Sequence, residues 1–244
     1  TLKQRLASLF FPFLKKYFFS HAWVTGPLQF EYAKRLGFKN FETIHNCYSA
    51  DTDIFNSEFE KLKKVKEAKY PHRFLFVGRF ESVKGIDTLI KAWSNIKKKE
   101  LSKDWELTLI GNGSFYNQLS KSDLYETIRF MQPKDLVCEI KNFGCFLLPS
   151  TFEPWALVIH EFATAGLPII CSDICGAAPM FVIDNYNGYT FKSGNSSNLE
   201  VKMIKIINSS DEELIQMSKR SNSLGKRITP ELTAASFMSL VNNN

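Results

Sequence analysis

Short apolar runs alternate with amphipathic stretches along most of this chain. Runs of three to five apolar residues, closed by glycine, proline or polar residues, are typical of buried strands. They predict strands at residues 22–24, 41–44, 74–77, 106–110, 128–131, 145–148, 168–171 and 189–191. The stretches between them have the composition of helices. Strands that alternate with helices predict an α/β protein of Rossmann-like type, in which a parallel sheet has helices on both faces.

The first quarter of the chain is less regular than the rest. Residues 2–19 predict an apolar, basic helix, and residues 27–36 predict a helix that Gly37 ends. Residues 46–55 have no clear period and are predicted to be irregular, as in a linker. A lysine-rich helix is predicted from Glu58 onward.

A further helix is predicted at residues 155–165, shortly after the apolar strand at residues 145–148. Gly166 fits the left-handed position just past a helix end, and Pro168 prevents continuation of the helix. The carboxyl end of a parallel strand is where ligands of such sheets bind. The start of this helix is therefore a candidate binding site.

Two glutamates eight positions apart, Glu153 and Glu161, frame the start of this helix. Pro154 biases Glu153 away from helical geometry, so we expect Glu153 in the loop and Glu161 about two turns into the helix. Free N–H groups at a helix start favour an anion, and here they are expected from Trp155, Ala156 and Leu157. Carboxylates beside an anion site suit a ligand with phosphates and hydroxyls, such as a nucleotide sugar. Two solvated helix-face carboxylates are the alternative.

The order of these motifs resembles the group 1 (family 4) retaining glycosyltransferases of GT-B fold. The Glu-x7-Glu element, after a strand that ends in Pro-Ser, is similar to the signature of that family. Residues 74–90 resemble its strand, Gly-Arg loop and Lys-Gly helix start, and residues 107–113 resemble its next strand and glycine turn. Asn187-Gly188 and the residues after it resemble its closing segment. The resemblance covers nearly the whole chain.

This resemblance implies a role for each matching residue. Arg79 and Lys84 would bind the donor diphosphate, and Glu153 would hold hydroxyls of the transferred sugar, which makes these three the expected catalytic set. Glu161 would accept hydrogen bonds from the ribose. The expected donor-binding residues are Gly78, Gly111, Asn112, Trp155, Ala156, Leu157 and Glu161. As an alternative, Arg79 and Lys84 are surface cations beside acidic neighbours.

The sequence departs from the family directly after the first glutamate. The family usually has Gly-Phe-Gly or Pro-Phe-Gly there, whereas this chain has Pro154-Trp155-Ala156. We expect the methyl group of Ala156 to narrow the sugar pocket. The sequence therefore does not identify the donor sugar or the nucleotide.

Neither a cofactor nor a metal site is expected. Gly111-Asn-Gly113 lacks the third glycine of a dinucleotide fingerprint, and no Gly-Lys-Ser/Thr ending of a Walker loop is present. His160-Glu161 begins a zinc-protease pattern, but residue 164 is threonine, so we expect a packed or surface histidine. Asp51-Thr-Asp53 has the spacing of a metal motif, but it lies in the predicted linker, where a turn or helix-capping role is favoured.

The resemblance also implies a domain order. Residues 1–48 are expected to end the acceptor-binding domain, 49–57 to be a linker, 58–225 to be the donor-binding domain and 226–244 a terminal helix that crosses back to the first domain. Family members have roughly another domain ahead of this point, so we expect the sequence to be truncated.

Composition fits a globular protein of this kind. Of the 244 residues, 44% are hydrophobic and 23% charged, and the net charge is +6. No apolar run approaches the roughly 18 residues of a membrane span. Five cysteines without ligand spacing fit a reducing compartment. Cys145 and Cys171 are expected to be buried in strands. We therefore expect a cytoplasmic protein without a nucleic-acid partner.

The predicted function is sugar transfer of hexosyltransferase type, in polysaccharide biosynthesis. A nucleoside-diphosphate sugar would donate to a hydroxyl of a saccharide or lipid-linked acceptor, with retention and without metal. The alternative is a non-catalytic nucleotide-sugar-binding module, and this donor-binding half alone is expected to be inactive. Aromatic residues at 10–19 leave a peripheral contact with the inner face of a membrane as another alternative, although a buried helix is favoured.

Overall fold

The structure is a computed structural model that describes residues 2–46 and 48–242. Its strands are β1 (Ala22–Trp23), β2 (Thr43–Ile44), β3 (Arg73–Val77), β4 (Glu106–Ile110), β5 (Glu126–Ile128), β6 (Cys145–Leu148), β7 (Ile169–Ser172) and β8 (Gly188–Phe191). Its α-helices are α1 (Leu2–Phe18), α2 (Pro27–Arg35), α3 (Thr52–Ala68), α4 (Ile86–Lys98), α5 (Tyr116–Leu119), α6 (Pro133–Glu139), α7 (Leu157–Thr164), α8 (Ala178–Phe181), α9 (Ser196–Asn208), α10 (Asp211–Gly225) and α11 (Pro230–Asn242). Within these described ranges, no helix is both long enough and apolar enough to cross a membrane.

The chain divides into two compact units. One contains the described parts of residues 1–50 and 228–244, and the other contains residues 51–227. In the first unit, β1 and β2 pair in parallel. The ring of Trp23 in β1 packs against that of Phe237 in α11, with ring centroids 5.3 Å apart. Thr233 of α11 donates from its hydroxyl to the carbonyl oxygen of Asn46 at 2.8 Å. These contacts fix α11 within the first unit.

The second unit is built on a six-stranded parallel sheet with the order β5-β4-β3-β6-β7-β8. The chain runs outward from β3 to β5 and then returns to the other side of β3 for the last three strands. Right-handed crossovers then place α4 and α7 on opposite faces of the sheet. The predicted α/β class, a Rossmann-like parallel sheet with helices on both faces, is confirmed. The direction of the chain reverses between β3 and β6, which makes this gap the switch point of the sheet.

Large aromatic residues fill the core beside the sheet. Phe74 of β3, Trp93 of α4 and Trp105 are all at most 1% exposed. The ring centroid of Phe74 lies 4.5 Å from that of Trp105 and 5.9 Å from that of Trp93. Around the sheet, α4 packs against α9, and α7 packs against α10 and α3. This packing holds β3 and β6, the two strands of the switch point, in place.

Several of the predicted element boundaries are wrong. The strand predicted at residues 41–44 begins only at Thr43, because a 3-10 helix occupies Asn40–Glu42. The strand predicted at residues 128–131 ends at Ile128, because Ile128 pairs with Ile110, the last residue of β4, and no further strand partner follows. The linker predicted at residues 46–55, and placed at 49–57 in the domain order, is helical from Thr52. The side chain of Asp51 accepts a hydrogen bond from the N–H of Ile54 at 3.2 Å and so starts α3. This helix cap is one of the two roles expected for Asp51.

Candidate active site

The predicted catalytic residues lie at the carboxyl ends of β3 and β6, the neighbouring strands of the switch point. Arg79 and Lys84 follow β3, and Glu153 follows β6. The two loops are directly linked, since the N–H of Thr151 donates to the carbonyl oxygen of Val83 at 2.9 Å. Ligands of doubly wound sheets bind at this position. The fold therefore places Arg79, Lys84 and Glu153 at the carboxyl ends of two neighbouring strands.

Gly85 allows these two loops to approach each other closely. It adopts a left-handed conformation, with φ of +69°. A Cβ atom at this position would lie only 1.8 Å from the carbonyl oxygen of Pro149. A residue with a side chain would therefore force the loops apart. The preceding residue, Lys84, is held against the loop that contains Glu153.

Lys84 and Glu153 form an ion pair. The ammonium group of Lys84 donates to Oε2 of Glu153, and the two side chains are 21% and 12% exposed. The hydroxyl of Ser150 donates to the same Oε2 at 3.3 Å. Glu153 lies in the loop, as predicted. This partly buried cluster thus contains an ammonium group, which can bind phosphate, and a carboxylate, which can accept hydrogen bonds from hydroxyls.

The loops after β3 and β4 are also joined. The carboxylate of Glu81 accepts the N–H of Ser114 at 2.9 Å and its hydroxyl at 2.8 Å. These two hydrogen bonds, with the nearby charge of Arg79, hold the pKa of Glu81 below its usual value. Arg79 itself is exposed. Its guanidinium group is therefore accessible to a ligand at the end of β3.

The predicted donor-binding residues Gly78, Gly111 and Asn112 are neighbours in these loops. The N–H of Gly78 donates to the carbonyl oxygen of Ile110 at 3.1 Å, and that of Phe80 donates to the carbonyl oxygen of Asn112 at 2.8 Å. A Cβ atom at Gly111 would lie 1.9 Å from the carbonyl oxygen of Gly78. The small size of Gly111 thus lets the two strand ends meet.

The start of α7 differs from the prediction by two residues. The helix begins at Leu157 because Ala156 has φ of +79° and ψ of 71°, which are not helical angles. The amides of Trp155 and Ala156 therefore lie in the loop, and only Leu157 of the three predicted donors lies in the helix. The N–H of Ile159 donates to the carbonyl oxygen of Ala156 at 3.0 Å. The predicted helix start is thus two residues too early, and Ala156 is the N-cap of α7.

Glu161 lies about one turn into α7, not two turns as predicted, because the helix begins later. Its side chain is half-buried, and burial raises the pKa of its carboxyl group. Among the described residues, none donates a hydrogen bond to this carboxyl group or pairs with it. A ligand hydroxyl would supply the missing donor.

The loop after β7 supports the loop that carries Glu153. The N–H of Gly176 donates to the carbonyl oxygen of Glu153 at 3.1 Å, and that of Ala177 donates to the carbonyl oxygen of Trp155 at 2.7 Å. The indole ring of Trp155 is buried, and no described group accepts a hydrogen bond from its Nε1. These two hydrogen bonds fix the backbone of residues 153–155 to the loop after β7.

The remaining sequence predictions around α7 concern packing. Gly166 is left-handed, with φ of +74°, and the N–H of Leu167 donates to the carbonyl oxygen of Phe162 at 2.9 Å, so the helix ends as predicted.

His160 is a packed histidine: its Nε2 lies 2.8 Å from the carbonyl oxygen of Gly225. Cys145 and Cys171 are fully buried, as expected. The described part of the chain contains no group of three or more acidic, histidine or cysteine residues that could hold a metal.

Comparison with known families decides what kind of protein carries this site. The family model described as Glycosyl transferases group 1 matches residues 57–224, which is more than half of the chain. The chain belongs to this family. The resemblance drawn from the motifs is thereby confirmed at the level of a group 1 glycosyltransferase, and the match corresponds to the C-terminal domain of such enzymes.

Individual relatives agree with this assignment. An uncharacterized glycosyltransferase of Haemophilus influenzae is 29% identical over 166 residues, which are 66% of this chain and 46% of that protein. The match thus spans less than half of that relative. A sucrose-phosphate synthase from Thermosynechococcus elongatus has a TM-score of 0.76 at 19% identity and covers 99% of this chain and 61% of that one. HepE of Anabaena, in complex with UDP and glucose, has a TM-score of 0.71 at 16% identity, with coverages of 99% and 66%. The fold is that of GT-B glycosyltransferases.

Proposed function

We propose that this chain binds the nucleoside-diphosphate-sugar donor of a retaining, metal-independent hexosyltransferase of family 4. The observation that carries the proposal is the contact between Lys84 and Glu153 at the switch point of the sheet. A cation and a carboxylate in one partly buried cluster match a ligand that has both phosphates and hydroxyls. The structure of HepE with UDP and glucose supports a ligand of this class.

In this proposal each residue acts on a different part of the donor. Cleavage of the bond between the anomeric carbon and the phosphate places negative charge on the leaving diphosphate. Lys84 and Arg79 would stabilise that charge, the role a divalent metal has in other transferases. Glu153 would accept hydrogen bonds from sugar hydroxyls, and Glu161 would accept them from the ribose. The acceptor hydroxyl would attack from the side of the leaving group, which gives retention.

The acceptor and the setting also belong to the proposal. We propose a hydroxyl of a saccharide or lipid-linked acceptor, and a place in polysaccharide biosynthesis in the cytoplasm. The matches with these curated relatives span less than half of each relative's length. We therefore propose that the 244-residue chain by itself binds the donor without transferring sugar. A non-catalytic nucleotide-sugar-binding module has the same site, and an assay of transfer by a chain extended upstream separates the two.

Helix α1 raises the question of a membrane partner. Its exposed face includes Phe13, Tyr17 and Phe18, which are 71–73% exposed. Such a face suits either a further part of a longer protein or the surface of a membrane, and we favour the first. Flotation of the chain with vesicles of anionic phospholipid checks this preference: recovery in the vesicle fraction, abolished by Phe13→Asp, would favour the membrane.

Calorimetric titration of the chain with UDP, GDP and UDP-glucose tests the donor proposal. Each titration is run with and without EDTA. We expect at least one of these ligands to bind, with an affinity that EDTA leaves unchanged. Binding that disappears in EDTA would overturn metal independence, and the absence of binding by every ligand would overturn the donor assignment.

A further inference from the structure

One oxygen of the Glu153 carboxylate receives both of the contacts made by that group. The ammonium group of Lys84 and the hydroxyl of Ser150 both donate to Oε2, the latter at 3.3 Å. No described residue donates to the other oxygen, Oε1. A carboxylate can accept about four hydrogen bonds in total, two at each oxygen. The protein therefore satisfies one side of this group and leaves the other side available.

Ser150 is itself held firmly. It lies two residues after the end of β6 and is fully buried. Its carbonyl oxygen accepts the hydroxyl of Ser172 at 2.6 Å and that of Ser193 at 3.3 Å. Ser172 is the last residue of β7, so the position of Ser150 is set by two neighbouring strands. A hydroxyl on a backbone that is fixed in this way provides a reference point for Glu153.

The orientation of Glu153 depends on such a reference point. The terminal torsion of a glutamate side chain has a broad energy minimum, so the carboxylate rotates unless contacts restrain it. Lys84 comes from the loop after β3 and has a long flexible side chain. Ser150 has a short side chain on a buried backbone. Ser150 therefore adds a second restraint on the rotation of the carboxylate, from a different loop than Lys84.

We infer that Ser150 is a positioning residue that fixes Oε2 of Glu153, so that Oε1 is presented to a hydroxyl of the donor sugar. This inference rests on the proposed function, because the sugar is the ligand of Oε1. It assigns to Ser150 an effect on the sugar alone. The nucleotide and its diphosphate would bind equally well without the Ser150 hydroxyl, since they contact other residues.

Titration calorimetry of Ser150→Ala, Ser150→Thr and Ser218→Ala with UDP and UDP-glucose tests this inference. Ser218 is a matched control, since it is a buried serine whose hydroxyl donates to the carbonyl oxygen of Gly166 instead. We expect Ser150→Ala to weaken UDP-glucose binding about tenfold, the loss typical of one hydrogen bond to a charged group, and to change UDP binding by less than about twofold. Ser150→Thr should restore most of the loss, and Ser218→Ala should change neither ligand.

A double variant adds a readout that a merely structural role would not give. If Ser150 acts through Glu153, then Ser150→Ala combined with Glu153→Gln should bind UDP-glucose no more weakly than Glu153→Gln alone. Full additivity of the two losses would overturn the inference. Equal losses of UDP and UDP-glucose in Ser150→Ala would overturn it as well, because they would indicate general damage to the loop.

A ligand-free crystal structure keeps this inference separate from the proposed function. If the wild-type chain binds no nucleotide sugar, the proposed function fails. The position of Glu153 in crystals of Ser150→Ala still decides whether Ser150 orients it. We expect the carboxylate to turn away from its wild-type orientation while the backbone of residues 145–153 stays in place. An unchanged carboxylate would contradict the positioning role.

Discussion

Glu153 and Glu161 are both carboxylates of one signature, but their surroundings differ. Glu153 is paired with Lys84, whereas Glu161 is half-buried without a partner among the described residues, and burial raises its pKa. A group that accepts from the ribose contacts every nucleotide ligand, and one that accepts from the sugar contacts only the nucleotide sugar. Replacement of Glu153 and replacement of Glu161 should therefore have different effects on the binding of UDP and of UDP-glucose.

We predict that Glu161→Ala weakens the binding of UDP and UDP-glucose alike, by about 1.5–3 kcal/mol, because it removes hydrogen bonds to a charged group. We predict that Glu153→Ala weakens the binding of UDP-glucose by a similar amount and leaves the binding of UDP unchanged. Calorimetric titration of both variants measures this. Equal losses for both ligands in both variants would show that the roles are wrongly assigned.

Ala156 adopts a conformation that alanine rarely adopts. With φ of +79° it lies in the left-handed region, which costs an L-residue about 1–2 kcal/mol. The family usually has glycine at this position of the motif. The exposed fractions of Ala156 and Ala165 are 7% and 2%, and Ala165 has an ordinary φ of −71°. The two alanines therefore form a matched pair.

We predict that Ala156→Gly is more stable than Ala165→Gly by about 1–2 kcal/mol. Both changes remove a buried methyl group and make the unfolded chain more flexible, but only the first relieves left-handed strain. Urea unfolding of the two variants measures the difference in the free energy of unfolding. If both variants lose the same stability, the backbone at Ala156 is not strained.

Helix α3 contains a buried lysine. Lys66 donates from Nζ to the carbonyl oxygen of Phe143 at 2.9 Å. Burial lowers the pKa of Lys66 to about 7, with Glu58 partly opposing the effect. Between that value and the ordinary lysine pKa, the unfolded chain binds one proton more than the folded chain. The stability that this group contributes is therefore present above the ordinary pKa and is lost as the pH falls toward 7.

We predict that Lys66→Met removes this dependence on pH. Relative to the variant, wild-type stability should rise by up to about 1.4 kcal/mol per pH unit between pH 7.5 and 9.5. Urea unfolding at several pH values within this range checks the slope. Lys63→Met, which changes an exposed lysine of the same helix, should show no such slope. A constant difference between wild type and Lys66→Met would contradict the prediction.

Whole elements were easier to predict than their ends. The sequence predicts β4 and β6 residue by residue, because residues 107–110 and 145–148 are all buried and glycine or proline follows each strand. The start of α7 was not predictable, since it depends on the left-handed angles of Ala156, and an alanine carries no sequence signal for them. The start of α3 had a signal in Asp51, a helix-capping residue, but that signal was outweighed by the polar residues around it.

The sequence predicts the site residues that belong to local motifs, but it does not predict those whose role depends on packing. The Glu-x7-Glu spacing and the Lys-Gly pair after β3 singled out Glu153 and Lys84, which contact each other at the switch point. From the sequence, Ser150 only ends a strand. Its contact with Glu153 depends on the path of the loop, and its rigidity depends on Ser172 of the neighbouring strand. Such contacts follow from the sheet order, which one sequence does not show.

We expect the two compact units of the molecule to have different tasks. The unit of residues 51–227 would bind the donor, and the other unit would belong to the acceptor-binding domain. Transfer requires an acceptor hydroxyl about 3–3.5 Å from the anomeric carbon. We predict that the 244-residue chain binds donor nucleotide but transfers almost no sugar, and that a chain extended upstream is active. Radiolabelled nucleotide sugars, assayed with a saccharide or lipid extract, measure transfer by both. Robust transfer by the 244-residue chain would contradict the proposed division of tasks.

We place the donor at the switch point between β3 and β6. A crystal structure of the chain with UDP-glucose tests this placement. We predict a diphosphate within hydrogen-bonding distance of Lys84 and a sugar hydroxyl within hydrogen-bonding distance of Oε1 of Glu153. A nucleotide sugar bound elsewhere on the chain, with Lys84 and Glu153 still paired only with each other, would contradict it.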